Sequence, residues 1–132
     1  MMSNPIETLA VMLRIQAWRE DLPAIAESGR VPYEIARSRK DQSPQGIGIC
    51  VCEDGPLEGQ CSTAIKFLRE HRDTIRRLSD ASGEAPILHF GSLLHRDSVG
   101  TYVEFSSEFL AVLGELGIRL GSSTYLSSDE IE

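Results

Sequence analysis

From Leu9 to Gln16 the chain alternates, with Val11, Leu13 and Ile15 on one side and Met12, Arg14 and Gln16 on the other, the two-residue period of a half-buried strand. Glu20 and Asp21 then supply an acidic first turn and Pro23 suits a helix start. Leu22, Ile25 and Ala26 make a short apolar stripe that Gly29 brings to a stop, which predicts a brief helix. Residues 30–46 crowd Arg37, Arg39 and Lys40 among Asp41, Ser43, Pro44 and Gly46, the composition of an exposed loop with room for one edge strand. Alternation returns over Gly46–Cys52, where Ile47, Ile49 and Val51 face one way and Gly48, Cys50 and Cys52 the other, until Glu53-Asp54-Gly55-Pro56 breaks the chain. Ala64, Ile65, Leu68, Ile75 and Leu78 recur at helical spacing and predict one long helix over Glu58–Ser79, ended by Gly83 and Pro86. Two strands follow, over Ile87–Leu94 and Val99–Phe105, with a polar turn around Asp97. Ser106 or Ser107 caps a last helix carrying Phe109, Leu110, Leu113 and Leu116, and Gly117 closes it. Ile118, Leu120, Thr124, Tyr125 and Leu126 predict a final strand, and 127–132 reads as a frayed tail.

These elements predict an α+β domain. From Gly46 onward the order is β-α-β-β-α-β, the ferredoxin-like order, preceded by an extra βα unit. The expected architecture is a two-layer sandwich, a mainly antiparallel sheet with helices on one face. The 132 residues fit one domain, 1–132, that can bury a core without a staple. A formal net charge of −7 opposes non-specific contact with nucleic acid or an anionic membrane, which both require surplus positive charge. Three cysteines cannot all pair within the chain, and no stretch has the charge and apolar pattern of a leader or membrane span. The expectation is a reduced, cytoplasmic protein.

Two passages resemble the bacterial domains grouped as domain of unknown function 4279. One is Phe105-Ser106-Ser107-Glu108-Phe109-Leu110, running through Leu116-Gly117 to Tyr125, similar to that family's strand end, short helix, glycine and final strand with a late tyrosine. The other is the early strand, the short helix, Gly29 and Val31-Pro32, followed by a basic edge. The resemblance implies this fold and a bacterial cytosolic setting, and it brings no catalytic residues.

Candidate chemistry is sparse. Cys50 and Cys52 lie two apart on a strand, and with Cys61 and His71 or His89 they offer four soft ligands, but zinc sites favour wider knuckles and a free Cys is more often a small hydrophobe. Cys61 stands near a helix start, where the dipole would lower a thiol pKa, yet nothing in the sequence identifies a basic partner. His71 falls beside the long helix's stripe and His89 shares a strand face with Ile87, which suits structural histidines. His95-Arg96-Asp97 lacks the downstream asparagine of a kinase loop, and Gly46-x-Gly48 begins a strand instead of ending one. No catalytic, metal or cofactor residue is assigned.

Arg69, Arg72 and Arg76 recur at helical spacing, with Lys66 and Arg77 nearby, and are the candidate contact for an acidic partner or anion; the competing reading is a solvated face laced with ion pairs. Trp18 and Tyr33 are the candidate interface aromatics, with core packing the alternative for Trp18. The leading functional expectation is a non-enzymatic module that binds an unidentified protein; small acidic bacterial α+β proteins that neutralise a toxin are a fold-level analogy. The alternative is a small-molecule sensor dimerising through the sheet edge near residues 35–49. An enzyme using Cys61 ranks last.

Overall fold

The structure, a computed structural model, describes residues 6–94 and 103–126. Ten elements follow in order: β1 (Ile6–Thr8), β2 (Val11–Ile15), α1 (Leu22–Ser28), β3 (Glu34–Arg37), β4 (Pro44–Cys52), α2 (Leu57–Glu70), α3 (Arg72–Ser82), β5 (Ile87–Leu94), α4 (Ser107–Leu116) and β6 (Arg119–Leu126).

β6 pairs with β5 in parallel along all eight residues of each, so β1 and β2, which both pair antiparallel with β5, share its other side. They are one strand position interrupted at Leu9 and Ala10, where the Leu9 N–H still donates to the Gly91 carbonyl at 2.9 Å. β4 lies antiparallel beside β2, and β3 lies antiparallel beside β4 at the far end. The spatial order is therefore β6, β5, β1/β2, β4, β3.

The domain is the expected α+β sandwich with a mainly antiparallel sheet. Its ferredoxin-like frame starts earlier than the sequence suggests. β1/β2, α1, β3, β4, α2–α3 and β5 form the β-α-β-β-α-β unit with strand order 4-1-3-2, and α4–β6 is the addition, at the C-terminal end. The early frame is hard to see in sequence because β3 is a four-residue strand within a charged loop. Of the expected strand Val99–Phe105, residues 99–102 lie outside the described range, as do the expected turn around Asp97 and the tail 127–132, and 103–106 are irregular.

The long helix is two helices. Buried positions advance by four through Gln60, Ala64 and Leu68, so the next inward positions of a continuous helix would be His71 and Arg72. Neither side chain belongs in an apolar layer. The chain turns at His71 (φ −109°, ψ 24°), and α3 restarts with Thr74, Ile75, Leu78 and Ser82 buried. His71 rests on the Phe67 ring, 4.5 Å between centroids.

All the helices cover one face. Val11, Leu13 and Ile15 from β2, Ile47, Ile49 and Val51 from β4, and Leu88 and Phe90 from β5 meet Leu22, Ala64, Leu68, Ile75, Leu78, Phe109, Val112 and Leu113 in one core. Each fully buried Leu, Ile or Phe contributes about 1.5–3 kcal/mol. Phe90, Phe105 and Phe109 cluster with centroids 5.2–5.8 Å apart, closing the α4 end of this layer. The Ser106 hydroxyl caps α4 by accepting from the Phe109 N–H at 3.1 Å, and Gly117, at φ 68°, ends it.

Gly46 marks the tightest backbone approach in the sheet, since a Cβ there would collide with the Ile15 carbonyl oxygen, and backbone cannot swing aside. Gly59, on the exposed side of α2, has nothing within 4 Å of the same position. Gly46→Ala is predicted to lower the unfolding midpoint by roughly 4–12 °C. Gly59→Ala should raise stability by about 0.5–1 kcal/mol through helix propensity alone. Thermal denaturation of the two variants checks both signs.

Candidate functional site

Alternation in the strands decides what the helix-free face carries. With Val11, Leu13, Ile15, Ile47, Ile49, Leu88 and Phe90 turned inward, the outward positions of β2, β4 and β5 fall to Met12, Arg14, Gly48, Cys50, Ile87, His89, Gly91 and Leu93. A sheet with one solvated face ordinarily presents polar side chains there. Here Arg14 is the single charged residue among those positions. Glycines flatten the surface: the Met12 methyl lies 3.4 Å from where a Gly48 Cβ would be, and Ile87 lies 3.1 Å from the same point on Gly121.

At one end the face deepens into a groove of about 810 Å3 whose walls include Met12, Arg14, Trp18, Glu34 and Ala36. Trp18 lies beyond the end of β2, half-buried against the core, with its indole N–H donating to Glu20 Oε2 at 3.3 Å. Tyr33 also packs on the core and donates its hydroxyl to Glu27 Oε2 at 2.7 Å, so it is not part of this groove. Of the two expected interface aromatics, only Trp18 reaches the site.

Near the middle of the face, His89 Nε2 is hydrogen-bonded to Ser123 Oγ at 2.8 Å. Burial, and then the positive charge of Arg14, push its pKa below the ordinary imidazole value. His89 is therefore neutral at physiological pH and adds no charge to the face.

A second concavity of about 730 Å3 opens at the end of the sandwich, where the carboxyl end of β5 approaches the start of α2. Leu9, Leu57, Phe90, Phe105 and Val103 supply apolar walls, and Thr8, Ser92 and Ser122 supply hydroxyls. The Thr8 hydroxyl is tied to Gly55 on its rim, donating to the carbonyl and accepting from the N–H. Behind this region sits Gln60, 2% exposed, whose amide donates to the carbonyls of Leu9 (2.7 Å) and Glu53 (3.0 Å). It fastens α2 to the strand break and to the loop after β4. Its Oε1 is buried with no hydrogen-bond partner. The sequence hint was its place in the 60/64/68 stripe, where a polar residue stands out.

The cysteines do not gather. Register shows Cys52 opposite Val11 and Cys50 opposite Met12, leaving Val51 as a bulge. The bulge interrupts alternation, so Cys50 is exposed while Cys52 packs on the core, a correction to the expected shared face. Among the described residues no three His, Cys, Asp or Glu side chains come together as a metal-binding group. Burial pushes the Cys61 thiol up, against the lowering expected from the helix start. Burial and the Glu53 carboxylate do the same to Cys50.

The arginines lie on the helical layer, away from the open sheet face. Arg69 ends α2, and Arg72 and Arg76 share α3 across the turn at His71, so they are not the single helix face the sequence suggests. All three are exposed, and the expected lacing of ion pairs is absent among the described residues, where the ion pair found is Arg119–Glu84 at 4.0 Å. No described helix is long and apolar enough to cross a membrane.

No family model, no curated protein and no solved structure matches this chain.

The lowered His89 pKa has a consequence for stability. As pH falls below about 6.5 the unfolded chain takes up this proton before the folded one, so stability falls with pH until the folded histidine also titrates. The predicted outcome is a melting temperature that drops between about pH 7.5 and pH 5.5, with a smaller drop in His89→Gln, which keeps a partner for Ser123.

Proposed function

We propose that this chain is a non-enzymatic protein-interaction module that presents the helix-free face of its sheet to a protein partner. The observation that carries the proposal is the chemistry of that face. Met12, Cys50, Ile87 and Leu93 occupy positions where a solvated antiparallel sheet would place charge, and glycines keep the surface flat enough for close approach. Arg14 and Glu34 bound the groove beside Trp18, giving the apolar centre a charged margin, the usual anatomy of an interface. Arg69, Arg72 and Arg76 are proposed as a secondary contact for acidic groups of a partner, supported by their exposure and by the lack of an ion pair to any of them among the described residues. Cytoplasmic location is supported by three free thiols, and the absence of a nucleic-acid role by the net charge of −7. The resemblance to domain of unknown function 4279 proteins is itself a proposal and agrees with a domain that has no assigned chemistry.

A second reading, small-molecule sensing, is favoured by the cavity at the end of the sandwich, whose size and mixture of apolar walls with a few hydroxyls suit a compact ligand. The two readings adjoin at Gly91 and Leu93 but centre on different residues, Met12 lying outside the cavity, so one experiment separates them. Capture of the tagged chain from its own cell lysate should return a stoichiometric protein that Met12→Glu loses and Arg72→Glu binds more weakly. A partner retained in full by Met12→Glu, or a bound metabolite with no protein, would overturn the sheet-face reading.

A further inference from the structure

The two edges of the sheet are built differently. β3 is four residues long, carries Glu34 and Arg37, follows Pro32 and has a register break between Ala36 and Arg37. Those features keep an edge strand from pairing with another chain. β6 lacks all of them except one charge, Arg119 at its first position. It runs eight residues in unbroken register with β5, contains no proline, and after Arg119 carries no charge through Leu126. Its outer side has no strand partner among the described residues. The expected seam near residues 35–49 is thereby moved: β4 is an interior strand, and β3 is the protected edge.

The helix above β6 matches this edge. α4 packs on β6, with Phe109, Val112 and Leu113 buried beneath it. Its exposed side is divided by charge. At 100° per residue, Glu108 and Glu115 fall on one flank and Leu110 on the other, with Ser107, Ala111 and Gly114 uncharged along the outer side between them. Leu110 is 46% exposed, and nothing lies within 4 Å of a Cβ placed on Gly114. The right-handed sense of β-α-β crossovers turns the Leu110 flank toward the free side of β6.

We propose that β6 pairs antiparallel with β6 of a second copy, joining two sheets into one, with the Leu110 flanks of the two α4 helices meeting across the two-fold axis. The dimensions agree. A crossover helix over the β5–β6 pair lies about half a strand spacing inside β6, which puts the two copies of α4 about 10 Å apart, the distance at which helices with small contact residues pack. The charge pattern selects a second copy as the occupant. Two chains of net charge −7 repel, so self-association requires a surface free of acidic groups, and β6 with the Leu110 flank is such a surface. Across a two-fold axis perpendicular to the sheet, residues of equal parity must face each other. Placing Ser122 at the axis sets Gly121 opposite Ser123 and Leu120 opposite Thr124, without a clash of bulk or charge. This inference does not depend on the helix-free face.

The test is the solution mass of the full chain by sedimentation or light scattering. The expected value is twice the 14.6 kDa of one chain. Thr124→Lys and Leu110→Glu should each abolish the dimer while circular dichroism retains the native spectrum. Ala36→Lys, on the other edge, should leave it intact. A wild-type monomer overturns the proposal. So does a dimer that survives in both folded β6-side variants, or one that Ala36→Lys dissolves.

Discussion

One-sided burial governs this molecule. A single apolar layer lies between the sheet and its helices, and every alternating strand must commit one set of side chains to it. Once Leu13, Ile49, Leu88 and their neighbours are turned toward the helices, the remaining positions have no choice of face. Met12, Cys50, Ile87 and Leu93 are left on the open side because strand geometry allows nothing else. The interaction surface is therefore fixed by the same register that makes the core. Gln60 ties the helical layer to the sheet by donating to the Leu9 carbonyl at the strand break and to the Glu53 carbonyl in the loop after β4.

Much of the fold was legible in the sequence, and the failures have definite causes. β5, α4 and β6 fall close to the predicted segments because their caps and periodicity agree: Ser106, Gly117 and the alternation around Leu88 each signal the same boundary. The break at His71 was missed because spacing by seven from Leu68 to Ile75 looks continuous, and only the polar pair His71–Arg72 at the intervening inward positions betrays it. β3 is the edge strand for which the charged stretch 30–46 left room, and its place beside β4 moves the ferredoxin-like frame to the front of the chain.

The candidate site was less legible than the fold. Charged and aromatic residues drew attention to Arg69, Arg72, Arg76, Trp18 and Tyr33, yet the open face is defined chiefly by residues without strong chemistry. Gly48 and Gly121 matter there because a flat surface needs missing side chains, and a single sequence gives no sign of which face a glycine occupies. Cys50 and Cys52 looked like a pair until the bulge at Val51 separated them, and a bulge is set by tertiary pairing with β2. The resulting molecule has an apolar open face, a group of exposed arginines around the α2–α3 turn and, among the described residues, one unprotected edge, three surfaces that different partners can use together.

The central claim is that the open face is covered in the cell. Hydroxyl-radical footprinting of the tagged chain, performed in its native lysate and on the purified protein, measures this directly. Oxidation of Met12 and Trp18 should fall several-fold in the lysate while Tyr33, on the helical side, is unchanged. Equal oxidation of Met12 and Trp18 in both settings would contradict the account.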